Sequence, residues 1–378
     1  MRIVVDARKA SGQDYGIGTY IRRLGETCAR LSPSDDFVFL GKADRIDGKD
    51  VPRDAARITG DNVTWEPNLS SNYGLRELVS VSWQVRKLRG DVFHAPHYVY
   101  PLMLPCPGVV TIHDCIHLRF PQQFPKLGSN SYARRMMRRA VVKSNRVLTV
   151  SEATRADLVE LVNADPSKIE VIQHGCDPYF LETVDDRELS DVAKKHRLDR
   201  PFLLSVTNIK PHKNLKRLLE SFGQLRRDYD DLDLVIAGGD FSQHPELQAV
   251  CKSHDMKDQV KPLGFLEKKE LRALYNLARI FVFPSLYEGS GLPPLEAMAC
   301  GTPVVASDNS AIPEIVGRNG LLVNPYRVDA ITEAIRSLLE NSSFRDALGA
   351  QGKIRAQEFD WDESARRVLD VYREVVTS

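Results

Sequence analysis

The strongest constraint on this chain is a rhythm. Short β-branched and aromatic runs alternate with stretches whose apolar residues recur at helical spacing. Strands are expected near 2–7, 37–41, 92–95, 109–113, 146–150 and 169–173, with amphipathic helices near 17–31, 74–88, 131–144 and 152–163 between several of them. The pattern then restarts, with strands near 202–206, 232–237, 260–263, 280–283, 302–306 and 321–323 and helices near 214–227, 267–277, 293–300 and 328–340. Such alternation specifies parallel sheets covered by helices on both faces. Twelve strands exceed what one open sheet usually holds, about ten. The chain therefore reads as α/β, with two doubly wound, Rossmann-like domains.

Its 378 residues suit two domains. The expected bounds are 1–180 and 196–358. Between them Pro178, the acidic residues Glu182, Asp185, Asp186 and Glu188, and a charged stretch ending at Pro201 interrupt the strand rhythm. A last helix is expected over 361–376. The charge balance of 52 Lys+Arg against 51 Asp+Glu argues against a nucleic-acid binder, which would be basic overall. None of the six cysteines forms a C-x-x-C pair, so zinc-ribbon and thioredoxin readings fail, and reduced thiols in a cytoplasmic protein are expected. The first residues lack the apolar core of a signal peptide, and no uncharged run reaches the roughly 18 residues of a membrane span.

In open α/β sheets ligands bind beyond the carboxyl ends of the strands. Two such domains facing a deep cleft would each hold one substrate and exclude water on closing. The informative residues are then those following each strand. After the first comes Ser11-Gly12-Gln13-Asp14-Tyr15-Gly16-Ile17-Gly18-Thr19, where Gly16 and Gly18 let backbone approach a ligand at a helix start. A plain strand-to-helix turn is the open alternative. After the next strands come His94-Ala95-Pro96-His97 and His113-Asp114-Cys115-Ile116-His117. A polar or catalytic role for His113 competes with a core histidine satisfied by backbone, and the departing strand does not favour a metal site.

In the second half Thr207-Asn208-Ile209-Lys210-Pro211-His212-Lys213-Asn214 places cations at a helix start, against the dipole, which a bound anion would resolve. The densest signal is Tyr287-Glu288-Gly289-Ser290-Gly291-Leu292-Pro293-Pro294-Leu295-Glu296-Ala297-Met298-Ala299-Cys300-Gly301. Its glycines expose backbone amides, Pro293 suits a first helical turn and Gly301 a C-cap. Glu288 and Glu296 border one ligand position, and carboxylates accept sugar or ribose hydroxyls well. Asp228 to Asp233 carries a D-x-D spacing, but precedes a strand and so lies at the wrong end of the sheet for Mg²⁺. Ala237-Gly238-Gly239-Asp240 reads as a tight strand exit.

The E-x7-E segment, continuing through Gly301-Thr302-Pro303-Val304-Val305-Ala306-Ser307, resembles the retaining glycosyltransferase family 4, of the GT-B fold, and its bacterial mannosyltransferases. The basic loop Asn208 to Asn214, the tail Ser307 to Gly317, Gly16-Ile17-Gly18-Thr19-Tyr20, Asp91 to Pro96 and His113-Asp114 are similar to the family's motifs as well. The likeness covers nearly the whole chain. It implies that helix 361–376 crosses back onto the N-terminal, acceptor-side domain. It also implies sugar transfer from a nucleotide-sugar, a substrate rather than a cofactor, to an acceptor hydroxyl with the anomeric configuration kept.

On that resemblance Lys213 binds the departing diphosphate, Glu288 the donor sugar, and Glu296 the ribose. Amides of Ser290, Gly291 and Leu292 touch sugar and phosphate. Asn208 and Lys210 belong to the donor loop, Gly16 and Gly18 approach from the other domain, and His113 lies by the donor sugar. Glu314 falls in the matching tail. Thr207 and Asn208 stand where the family often has arginine, His212 precedes Lys213, and Ser290 replaces a common aromatic. Fixed cations and helix N-termini would lower the barrier to diphosphate departure without a metal.

Eight basic and no acidic residues lie from Arg119 to Arg146. Ala133, Met136, Met137, Ala140 and Val141 share one face of the helix there, opposite Arg134, Arg135, Arg138, Arg139 and Lys143. Two readings stand: a solvated outer face, or contact with an anionic bilayer or lipid-diphosphate acceptor, with His97 on the acceptor side. The expected protein is a cytoplasmic hexosyltransferase, peripheral to the inner membrane face if that contact forms. It would use GDP-mannose first and act on a saccharide or lipid-linked acceptor in surface polysaccharide or glycolipid synthesis. The alternatives are a sugar phosphorylase or sucrose-phosphate-type synthase of the same fold, a non-catalytic partner subunit, or a two-lobed solute receptor.

Overall fold

Runs such as Arg2-Ile-Val-Val-Asp6, apolar on both faces of a strand, are stable only where helices cover both sides of the sheet. The computed structural model has this arrangement twice. It describes all residues except 11–14, 47, 48, 53–57, 69, 71–76 and 124–127. The first unit comprises Met1–Gly175 with Asp360–Ser378, and the second comprises Cys176–Phe359.

The first unit holds β1 (Arg2–Asp6), β2 (Asp36–Ile46), β3 (Lys49–Pro52), β4 (Val63–Asn68), β5 (Val92–Ala95), β6 (Gly108–Ile112), β7 (Arg146–Thr149) and β8 (Ile169–Val171). Their order is β3-β2-β1-β5-β6-β7-β8, with β4 also on β2. Among the described residues only the β2–β3 pairing is antiparallel. The second holds β9 (Phe202–Val206), β10 (Asp233–Ala237), β11 (Val260–Gly264), β12 (Ile280–Phe283), β13 (Val304–Ser307) and β14 (Leu321–Val323), all parallel, in the order β11-β10-β9-β12-β13-β14. The winding reverses between β1 and β5 in one sheet and between β9 and β12 in the other. Diverging loops open a crevice at such a switch point.

Helix Tyr15–Leu31 buries Tyr20, Ile21, Leu24 and Cys28 in the same core cluster as Trp361, Ala365, Val368, Leu369, Tyr372 and Val375 of helix Trp361–Thr377. The Asp360 side chain caps that last helix by accepting from the Asp362 N–H. In the second unit a Phe- and Leu-rich cluster lies on each side of the sheet.

The differences from the sequence reading are local. Helix Tyr15–Leu31 starts two residues early, so Gly16 and Gly18 lie inside its first turns, while Ser11 to Asp14 fall outside the described residues. The first unit closes at Gly175, and the acidic stretch that reads as a linker belongs to the second unit. There Asp185 caps helix Asp186–His196 through the Arg187 N–H. Acidic residues such as Asp186 and Glu188 fit a first helical turn because they meet the positive end of the helix dipole. Strand β4 is disguised by Pro67, which its edge position tolerates. Helices Pro245–Ser253 and Ser342–Ala356 were also not anticipated. Among the described residues no helix is long and apolar enough to cross a membrane.

Candidate functional site

In the second unit the switch point brings together the loops after β9 and β12. Lys213 ends the first of these, in a short 3-10 turn over Pro211–Lys213. Glu288 lies in the second, and Lys213 Nζ donates to Glu288 Oε1 at 2.6 Å, with only 14% and 16% of the two side chains exposed. The ammonium also stands 5.5 Å from the centre of the Phe283 ring. The pair thus places a cation and a carboxylate side by side where the two loops meet.

Both loops are pinned from behind. Asn214 sits at φ +61° and donates from Nδ2 to Pro284 O (2.9 Å) and Pro325 O (2.7 Å). The Leu286 N–H donates to His212 O at 2.6 Å. From the other flank Asn309 Nδ2 donates to Leu286 O at 3.0 Å, and the Glu288 N–H donates to Ser310 Oγ at 3.0 Å. Ser310 is itself left-handed, at φ +51°. Gly238, at φ +108°, lets β10 end against the loop after β9, since a Cβ there would lie 2.8 Å from Thr207 O. None of Asn214, Asn309 and Ser310 was singled out from sequence; the only signal was an Asn or Ser following a strand.

His212 differs from expectation. It is buried, and burial, with Lys213 and Lys210 nearby, lowers its pKa to about 3. It therefore supplies no cation, and the positive charge rests on Lys213 and the exposed Lys210, beside exposed Asn208. Helix Leu292–Ala299 follows Ser290 and Gly291. Prolines have no N–H, so with Pro293 and Pro294 in place only Leu292 among its first three residues brings one. At Gly291 a Cβ would press on Ile315 and Ile312 at 3.1 and 3.2 Å, so packing also requires a glycine there.

Glu296, one turn further, accepts from the Tyr275 hydroxyl at 2.9 Å. Burial raises its pKa to about 7; the Tyr275 bond and Lys268 oppose the rise and Asp177 adds to it. Glu314 lies in helix Ile312–Val316. Asp233 of the D-x-D stretch pairs with Lys261 at 2.7 Å, at the end of the sheet opposite the loops that hold Lys213 and Glu288.

In the first unit His113 follows β6, and its Nε2 lies 3.1 Å from Pro96 O. A carbonyl only accepts, so Nε2 carries the proton and Nδ1 is left as acceptor. Burial lowers its pKa to about 4, against opposing effects of the Pro96 bond and Asp114, so it is neutral. Tyr20 meets it edge-on at 4.8 Å and His174 lies 5.7 Å away. His174, missed in the sequence, is buried, stacks on Trp361 and has both ring nitrogens unpartnered. Behind them His94 shares hydrogen bonds with Tyr372 (2.6 Å) and Thr111 (2.8 Å). His97 lies against the Tyr98 ring, held neutral by burial.

The basic helix is Ser129–Lys143, and the five apolar residues assigned to its inner face are buried. Two of its four arginines have structural work. Arg134 donates to Leu161 O at 2.6 Å, and Arg139 to Pro101 O (3.0 Å) and Leu102 O (2.7 Å).

Comparison with known proteins matches the description "Glycosyltransferase Family 4" to residues 15–180 and "Glycosyl transferases group 1" to residues 186–355. The chain is 29% identical over 313 residues to the O-antigen chain mannosyltransferase B of Escherichia coli, spanning 82% of this chain and 81% of that protein. It is 31% identical over 294 residues to the alpha-maltose-1-phosphate synthase of Mycolicibacterium smegmatis, spanning 72% and 74%. The structure of Anabaena HepE in complex with UDP-glucose superposes with a TM-score of 0.77 at 16% identity, over 99% of this chain and 100% of that one.

Two doubly wound units, matched by these two family models and superposing on HepE, are those of a glycosyltransferase of the GT-B fold. Within that class the chain belongs to glycosyltransferase family 4 and is similar to its bacterial mannosyltransferases.

Proposed function

We propose that the chain transfers a hexose, mannose from GDP-mannose first, to a hydroxyl of a saccharide or lipid-linked acceptor in surface polysaccharide or glycolipid synthesis. The observation that carries this reading is the Lys213–Glu288 pair, held at the switch point of the second unit. As the anomeric C–O bond to the diphosphate breaks, negative charge grows on the leaving oxygens. Lys213 and the Leu292 N–H stabilise it where it develops. Glu288, released from Lys213, accepts donor sugar hydroxyls, and Glu296 accepts from the ribose. The acceptor oxygen attacks from the face the diphosphate leaves, and its proton passes to a leaving phosphate oxygen, so configuration is retained. In the first unit neutral His113 offers an acceptor nitrogen, not a proton. The residues fill the role a metal would take, so chelators should leave the rate unchanged.

The likeness to the E. coli mannosyltransferase supports the sugar, and that to HepE in complex with UDP-glucose supports a nucleotide-sugar donor. The synthase likeness favours a second reading, a sugar-phosphate acceptor. A panel of GDP-, UDP- and ADP-sugars with product identification decides between them. Lys213→Ala and Glu288→Ala should each cut kcat about 100-fold or more. Normal turnover by both variants, or a product of inverted anomeric configuration, overturns the proposal.

A further inference from the structure

Charge in the first unit is sharply segregated. Residues 78–151 contain 11 Lys and Arg but only two acids, Asp91 and Asp114, in a chain whose net charge is +1. The same stretch exposes large apolar side chains. Helix Glu77–Leu88 buries Leu78, Val81 and Val85 and turns the opposite stripe outward: Val79, Trp83, Arg86 and Lys87, at i, i+4, i+7 and i+8. Trp83 is 65% exposed, with the Lys87 ammonium 5.8 Å from its ring centre. On the adjoining turn Met103 is 77% and Leu102 45% exposed.

Hydrogen bonds hold that turn to both helices. The Leu102 N–H donates to Leu78 O at 2.9 Å, and Arg139 grips Pro101 O and Leu102 O. Arg139 thereby shows which side of helix Ser129–Lys143 fronts the turn. Arg135, Arg138 and the exposed Val142 share that side, at i, i+3 and i+7 against Arg139 at i+4.

We infer that this face, formed by Val79, Trp83, Leu102 and Met103 and rimmed by Lys87, Arg135 and Arg138, docks the first unit on an anionic lipid bilayer. An exposed tryptophan and methionine ringed by cations match the headgroup–acyl boundary: the apolar groups enter it while the cations meet lipid phosphates. A second copy of the chain is disfavoured, because each copy would bring the same positive charge. The inference deepens the lipid-linked acceptor reading. It depends on that reading for its purpose, not for its test, since vesicle binding is measured without donor or transfer.

The test is cosedimentation of the full chain with phosphatidylcholine vesicles, with or without phosphatidylglycerol, together with tryptophan emission. The chain should bind only the anionic vesicles, be released by salt, and shift its emission blue. Arg135→Gln with Arg138→Gln should lower partition about thirtyfold, from about 1 kcal/mol per cation. Trp83→Ser with Met103→Ser should weaken binding and abolish the blue shift. Lys252→Gln with Lys257→Gln, exposed cations of the second unit, should change nothing. Equal binding to neutral vesicles, an equal loss in the second-unit variant, or a lipid-free dimer dissolved by Trp83→Ser would overturn the inference.

Discussion

Glu296 carries a charge that its surroundings resist. Its carboxyl titrates near 4.5 when unfolded and near 7 when folded. The folded protein therefore holds the proton more tightly than the unfolded one. The contribution of Glu296 to stability is greatest below about pH 4.5 and falls as pH rises to 7, by up to about 3 kcal/mol. Glu296→Gln keeps an acceptor for Tyr275 and removes the titration. Urea melts should show the variant losing less stability between pH 5 and 8 than the parent; parallel pH profiles would refute the assignment. Lys213 and Glu288 are legible in the sequence because they follow strands, where an α/β sheet presents its ligands. Asn214 and Ser310 are not, because their value lies in left-handed backbone and in partners up to 111 residues away. No local pattern encodes such a contact.

At the scale of elements, most strands and helices are readable because each is a continuous buried run or an amphipathic stripe. Among the exceptions, Val63–Asn68 and Asp186–His196 carry a proline at an edge and a cap made of acids, both of which imitate loops. The helix with the largest consequence is Trp361–Thr377. Its Trp361 is 5% exposed and its Tyr372 2% exposed, the latter sharing a hydrogen bond with His94. Trp361→Ala should cost about 3–5 kcal/mol. Tyr372→Phe, which strands a buried imidazole nitrogen, should cost about 1–3 kcal/mol. Hydrogen exchange should show the loss over β1, β5 and β6, with β9 to β12 protected. Equal loss in both sheets would mean the helix does not belong to the first unit.

Across the whole molecule the buried histidines are unevenly shared. His94, His97, His113 and His174 lie in the first unit and are held neutral by burial, as is His212 alone in the second among groups with a resolved shift. Each titrates near 6.5 unfolded and well below that folded. Its contribution is complete above pH 6.5 and is lost as pH falls, by about 1.4 kcal/mol per pH unit for each histidine. Hydrogen exchange at pH 7 and pH 5 should therefore show the first unit opening well before the second; simultaneous opening would contradict this. The chain leaves the first unit at Gly175 and re-enters it at Asp360, and the Cys176 N–H donates to Phe359 O at 2.8 Å. The second unit is thus an insertion whose ends meet. On the ribosome its 176–359 segment emerges whole and can fold at once. The first unit, although begun earlier, keeps the apolar groove beside Tyr20, Leu24 and Cys28 open until the final helix has been made. A nascent chain halted before Trp361 would hold a finished second unit and an unsealed first, and would need a chaperone at the end translated first.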